Sequence, residues 1–284
     1  MLEEYSIVYK AENSYENAVA EAYLQFLIIP EENDSQELLR WDFANSLNAI
    51  TEVSSNGYGF KVIRVRPNKP FNKITFEAKF KVLKKNINPF DFVLNFNIAD
   101  DYILLDDLDF KVENERYLKA THFTILPNEH RKIFSFDRSI SVFENLRALN
   151  HWVYIHLYFK TGVTNVDTTL GEVIENRHGV CQDFSHLFCA IARENNVPAR
   201  YISGYLHQGN GYFGDMQMHA WTEAFVPNVG WVGFDPTNDL LVSHNHIKVA
   251  HGKDYDDCSP LKGVVYAHGR NETQYSVEVH ASQQ

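Results

Sequence analysis

From Val180 to Ile191 the apolar residues Val180, Phe184, Leu187, Phe188 and Ile191 recur at the spacing of one buried helical face, and the first turn of that helix carries Cys181. Gly179 stands just before the run, and Asn195, Asn196 and Pro198 close it. Beyond Pro198 the pattern changes to strands: Arg200 to Leu206, His219 to Val226, Trp231 to Asp235, and a closing pair, Lys262 to Ala267 and Tyr275 to Val279. A helix that must bury one face ahead of a run of strands predicts an α+β layout. The place of the cysteine also matters. Unpaired N–H groups and the positive end of a helix dipole favour a thiolate, the nucleophilic form of the side chain.

Upstream, residues 1–100 read as an N-terminal β-sandwich domain. Ile74 to Val82 alternates apolar and polar residues, the signature of an antiparallel strand with one wet face. Glu21 to Phe26 leads into an apolar run ending at Pro30, and Phe60 to Arg66 ends at Pro67; Asn/Gly/Pro turns at Asn56-Gly57, Pro67-Asn68 and Asn86 to Pro89 separate these runs. Residues 101–138, with the acidic patch Asp106, Asp107 and Asp109, read as a solvated connector. Residues 139–284 form the second domain. It opens with a helix over Ser139 to Phe159 and a short one capped by Thr168 or Thr169 with Glu172.

Composition narrows the partners. Against 26 basic residues stand 37 acidic ones, a net charge of −11, which argues against nucleic acid or an anionic membrane. The acidic opening Met1 to Tyr5 has no signal-peptide pattern, and the longest apolar run, Leu24 to Ile29, is strand-sized; a cytoplasmic location is the expectation. Three cysteines, Cys181, Cys189 and Cys258, are too scattered for a disulfide framework or a paired zinc motif. His244, His246 and His251 lack a thiol or carboxylate at ligand spacing, so they read as a surface loop, with no metal or cofactor expected.

A cysteine nucleophile needs a base within hydrogen-bond reach and a third group to orient it. His219 begins one strand and Asp235 ends the next, with Pro227-Asn228-Val229-Gly230 turning between them. A three- or five-residue loop puts Trp221 opposite Asp235 and leaves His219 diagonal to it on the same face; a four-residue loop throws Asp235 to the other face. Trp221 could roof the imidazole or serve only as core. Asp183 reads as a first-turn cap, and Cys189 as plain core.

The segments Gly179-Val180-Cys181-Gln182-Asp183-Phe184, Ile202-Ser203-Gly204-Tyr205, His219-Ala220-Trp221 and Phe234-Asp235-Pro236 resemble the transglutaminase-like superfamily, and the Cys, His, Asp order with spacings of 38 and 16 residues resembles its compact bacterial branch. The resemblance covers about residues 140–280. It implies a papain-like α+β core with Cys181 as nucleophile, His219 as base and then acid, and Asp235 as the orienting carboxylate. The longer cysteine-flanking motif and the extra C-terminal β domains of animal transglutaminases are missing, so the resemblance does not carry calcium activation or protein cross-linking with it. The function expected is acyl transfer through a thioester, with hydrolysis of a peptide or isopeptide amide in a peptide or protein substrate. Amine transfer, or a non-catalytic peptide-binding module on the same fold, is the alternative. The short, polar, glycine-rich segment Leu206 to Asp215 favours water over an amine, although Tyr212 and Phe213 could wall a drier tunnel.

Overall fold

The computed structural model describes residues 2–282 except 87, 96, 165–167 and 208–216. Six strands come first: β1 (Leu2–Val19), β2 (Glu21–Phe26), β3 (Gln36–Asn45), β4 (Ile50–Ser55), β5 (Lys61–Arg66) and β6 (Phe71–Lys85). Helices α1 (Ile98–Asp106), α2 (Leu108–Glu113) and α3 (Glu115–Leu118) follow, then α4 (Val142–His156), β7 (Tyr158–Phe159), α5 (Leu170–Asn176), β8 (His178–Gly179) and α6 (Cys181–Glu194). The remainder is β9 (Ala199–Leu206), β10 (His219–Val226), β11 (Gly230–Asp235), β12 (Leu240–Leu241), β13 (His246–Gly252), α7 (Tyr255–Cys258), β14 (Leu261–Tyr266) and β15 (Asn271–Ala281).

Two four-stranded antiparallel sheets, ordered β15-β1-β6-β3 and β14-β2-β5-β4, face each other as the expected sandwich. The alternation along β6 buries Ile74, Phe76, Ala78, Phe80 and Val82 in one shared core with Tyr5, Ile7 and Tyr9 of β1 and Phe26 of β2. Phe26 and Phe76 meet across the gap with ring centroids 4.6 Å apart.

The closing strands depart from expectation. Residues 262–279 do not complete the second sheet: β14 pairs with β2, Val264 opposite Tyr23, and β15 pairs with β1 from Tyr5↔Ala281 to Tyr15↔Asn271. Each sandwich sheet thereby gains its fourth strand from the far end of the sequence, which covers an edge of β1 and of β2. The expected connector departs as well, because its acidic residues build helix ends. The Asp107 carboxylate accepts from the Phe110 N–H at 2.9 Å to cap α2, and Asp106 pairs with Arg138 at 2.7 Å. Tyr102, Leu105 and Phe110 then bury against α4 and α6.

The second sheet runs β12-β11-β10-β9-β13. Ala224, Val226, Val232 and Phe234 join the core under α4 and α6, whereas Tyr201, Tyr205, Met218, Ala220 and Ile247 join that of the sandwich. The sheet is therefore covered on both sides. Its tie to the sandwich is polar as well as apolar: the Tyr205 hydroxyl donates to the Ile28 carbonyl at 2.6 Å, and the Gln36 amide donates to the Lys248 carbonyl and accepts from its N–H. Buried Lys248 also pairs with Glu223 at 3.0 Å. Together these bonds satisfy the polar groups that burial strips of water.

Candidate active site

Helix α6 begins at Cys181 itself, one residue later than the periodicity alone requires, with Val180 extended before it. Its start is held by Asp183, whose carboxylate accepts from the Val180 N–H and from the Thr164 hydroxyl, each at 2.8 Å. That is the returning half of a capping box, and it fixes the backbone on both sides of the sulfur. A Cβ on Gly179 would lie 2.7 Å from the Asp183 Cβ, so the bond needs glycine there. Asp183 is accordingly a cap, as its position suggested. Burial raises its pKa, against the lowering effect of the bonds from Val180 and Thr164.

Strands β10 and β11 turn through three residues, with Val226 opposite Gly230 and Thr222 opposite Phe234. One step further along that register sets Trp221 against Asp235, the arrangement that leaves His219 diagonal to the carboxylate. His219 Nε2 donates to Asp235 Oδ2 at 2.8 Å, both side chains fully buried. The Trp221 indole lies beside the imidazole, ring centroids 6.1 Å apart. It packs over Gly204 of β9, where a Cβ would come within 2.4 Å of the indole and 2.3 Å of the Ile247 carbonyl oxygen.

The Asp235 carboxylate gathers further donors. Oδ1 accepts from the Thr237 N–H at 3.0 Å, and Oδ2 accepts from the Asn238 side chain at 2.8 Å and from His246 Nε2 at 3.1 Å. Burial alone would push its pKa up, but His219, with help from His246, holds it ionised well below the usual carboxylate range. Burial likewise works against a charged His219, yet the Asp235 carboxylate overrides it, and Cys181 adds to the effect, so the imidazole pKa rises to about 10. His219 Nδ1, the ring nitrogen left over, has no hydrogen-bond partner among the described residues. Cys181 is half-buried and lines the same cavity as His219.

His246 overturns the surface-loop expectation. It opens β13 and is buried, and its carboxylate partner comes from Asp235 in space, not from its neighbours in sequence. Its Nδ1 accepts the Ser243 N–H at 3.3 Å, so the ring proton sits on Nε2 and points at Asp235. Burial lowers its pKa, against the raising effect of the Asp235 carboxylate. His219, Asp235 and His246 lie close enough to form a metal-sized group. The tautomer speaks against that use, since a metal ligand offers a bare nitrogen and donates from its other one. His251 also lies in β13, against Phe60 of the sandwich, with ring centroids 4.9 Å apart.

Beside the thiol and the imidazole opens a cavity of about 670 Å³. One wall comes from α6, β9 and β10 through Cys181, Tyr201 and His219, the other from β1, β14 and β15 through Tyr9, Leu261 and Tyr275. The other cysteines are not among its described lining residues. Cys189 and Cys258 are fully buried, and burial pushes the Cys189 thiol up to about 11. Tyr212 and Phe213 lie outside the described residues. Among the described residues no helix is long and apolar enough to cross a membrane.

Residues 135–236 match the family model of the transglutaminase-like superfamily. An uncharacterized protein of Mycobacterium tuberculosis is 38% identical over 146 residues, which cover 48% of this chain and 46% of that protein, so the chain matches just under half of that relative's length. A protein-glutamine gamma-glutamyltransferase of Pseudomonas aeruginosa is 28% identical over 98 residues, 32% of this chain and 14% of that protein. A solved structure from Cytophaga hutchinsonii, described as a candidate cysteine protease, superposes with a TM-score of 0.78 at 21% identity, covering 100% of this chain and 92% of that one. At that identity the likeness speaks for the fold, and it takes in the sandwich as well as the sheet carrying His219 and Asp235. Residues 135–236 are a transglutaminase-like domain, preceded by a strand-rich N-terminal region.

Proposed function

We propose that this chain is a thiol-dependent acyl-transfer enzyme in which Cys181 is the nucleophile, His219 the acid and base, and Asp235 the residue that orients the imidazole. The observation that carries this reading is the 2.8 Å bond from His219 Nε2 to Asp235, which leaves Nδ1 as the ring nitrogen for Cys181, whose thiol raises the imidazole pKa and lines the same cavity. The imidazolium that Asp235 sustains is the electrostatic partner a thiolate needs.

The chemistry runs in two steps. The sulfur adds to an amide carbonyl, and the oxyanion is met by the N–H of Cys181, one of the donors a helix leaves unpaired at its first turn. His219 gives its Nδ1 proton to the leaving nitrogen, the C–N bond breaks, and a thioester remains. Water then adds to the thioester while Nδ1 takes its proton. The C–S bond breaks, and carboxylic acid and free thiol are returned.

Hydrolysis of a peptide or isopeptide amide in a peptide or protein substrate is the first reading. Amine transfer is the second, and the tyrosine-lined cavity favours it, because an amine competes with water best where water is sparse. The experiment is a glutamine-peptide amide turned over with a millimolar primary amine present, with Cys181→Ala as control. A carboxylic acid product supports hydrolysis, a new amide supports transfer, and release that survives in Cys181→Ala refutes the thiol mechanism.

A further inference from the structure

An oxyanion hole is commonly a pair of donors, and the first turn of α6 offers the Cys181 N–H as one of them. Tyr201 of β9 lines the same cavity. It lies opposite Thr222 of β10, which lies opposite Phe234 of β11, and the Phe234 ring stacks on Phe188 of α6 with centroids 5.4 Å apart. Residues opposite one another share a sheet face, so Tyr201 is on the face that α6 crosses. Its ring sits 4.9 Å from that of buried His186 of α6, whose Nε2 accepts the Tyr255 N–H at 3.1 Å, and its carbonyl accepts from the Cys258 thiol at 3.7 Å. Helix and strand thereby fix the ring together.

The phenol oxygen has been left unused. Tyr201 is 3% exposed, yet its hydroxyl has no hydrogen-bond partner among the described residues and is not sealed from solvent either, so the little surface it has opens on the cavity. Two other phenols of the lining are engaged: that of Tyr15 accepts from the Asn13 amide at 3.2 Å, and that of Tyr275 donates to Gln217 at 3.3 Å. Burial, and after it the charge of Cys181, hold the Tyr201 phenol well above its ordinary pKa. At neutral pH its proton therefore stays on the oxygen, available to donate.

We infer that the Tyr201 hydroxyl is the second donor to the oxyanion that forms when Cys181 attacks a carbonyl. This rests on the proposed reading of Cys181 as nucleophile and adds a catalytic residue to it. The sulfur pair forms the S–C bond, the carbonyl π pair moves onto oxygen, and that oxygen accepts from the Cys181 N–H and the Tyr201 O–H. The pair then returns to carbon, and the leaving group departs with its bonding electrons. Tyr201 keeps its proton throughout.

The test compares two reactions of one thiol in Tyr201→Phe. Acylation by 4-nitrophenyl acetate, read as a burst of nitrophenolate, passes through an oxyanion; alkylation by iodoacetamide displaces iodide at a methylene and forms none. Acylation should slow about a hundredfold or more, the usual loss for one oxyanion donor, while the alkylation rate and its pH midpoint stay as they were. The hydroxyl bonds to nothing in the fold, so its removal costs no partner, and alkylation at the parent rate shows the site intact. Loss of both reactions alike, loss of neither, or a slowing in Ser203→Ala with none in Tyr201→Phe would overturn the inference. A burst that survives in Cys181→Ala defeats the nucleophile reading and this inference with it, whereas a Cys181-dependent burst indifferent to Tyr201→Phe defeats only the role of Tyr201.

Discussion

His246 donates from Nε2 to Asp235 Oδ2 across 3.1 Å, although the two residues sit on β13 and β11, strands separated in the sheet by β9 and β10. The Asp235 carboxylate is thereby held from two sides, by His219 along the hairpin and by His246 from across the sheet. Its direction is set by the whole width of the sheet.

Replacing His246 with Gln should lower turnover about tenfold or more, since a hydrogen bond to a buried charge contributes roughly 1.5–3 kcal/mol. If the residue positions Asp235, the alkaline limb of the pH–rate profile moves with it, because the His219 pKa depends on that carboxylate. A loss of thermal stability with an unchanged profile would assign His246 a packing role only.

Folding stability should fall as the solution is made alkaline. His219 has its pKa raised from 6.5 to about 10 by Asp235 against the cost of burial, so its contribution is fully present below pH 6.5 and is lost as pH rises through about 10. Urea midpoints measured across that window should decline in the parent protein and decline less in His219→Gln. Parallel curves would show that the imidazole is not charged in the fold.

Iodoacetamide at about pH 6, where an ordinary thiol is largely protonated, should modify Cys181 before the other cysteines. Cys189 and Cys258 are buried, and burial raises both thiol pKa values. Peptide mapping after partial labelling gives the order directly.

Gly204→Ala is expected to cost about 1–3 kcal/mol of stability, the usual range for overpacking. The added methyl meets the Trp221 ring and the Ile247 carbonyl, both within 2.4 Å of its ideal place. Relief by a smaller residue at Trp221, measured as recovery of the melting temperature in the double variant, would identify the indole as the obstacle. No recovery would point to the carbonyl.

The parts of this fold that sequence makes legible are those whose cause lies nearby in the chain. The face of α6 and the Thr169–Glu172 capping box on α5 follow from residues within a turn or two of one another, and the β10–β11 register follows once His219 is required to meet Asp235. Sheet membership of β14 and β15 does not, since Leu261 pairs with Phe26 and Ala281 with Tyr5, and nothing in a strand's own alternation says which distant edge it will meet. Helices α1 to α3 were hidden by their acidic residues, which read as solvated surface until Asp107 is seen capping and Asp106 pairing. His246 is hidden in the same way. Ser243-His244-Asn245-His246 is polar along the chain, and only the fold brings Asp235 to it.

The pairing of β1 with β15 and of β2 with β14 also sets an order in time. A ribosome delivers the sandwich's first strands, then all of the sheet bearing His219 and Asp235, and only afterwards the two strands that finish the far wall of the cavity. During synthesis, then, Cys181, His219 and Asp235 are all present before the cavity beside them has the part of its wall that β14 and β15 supply.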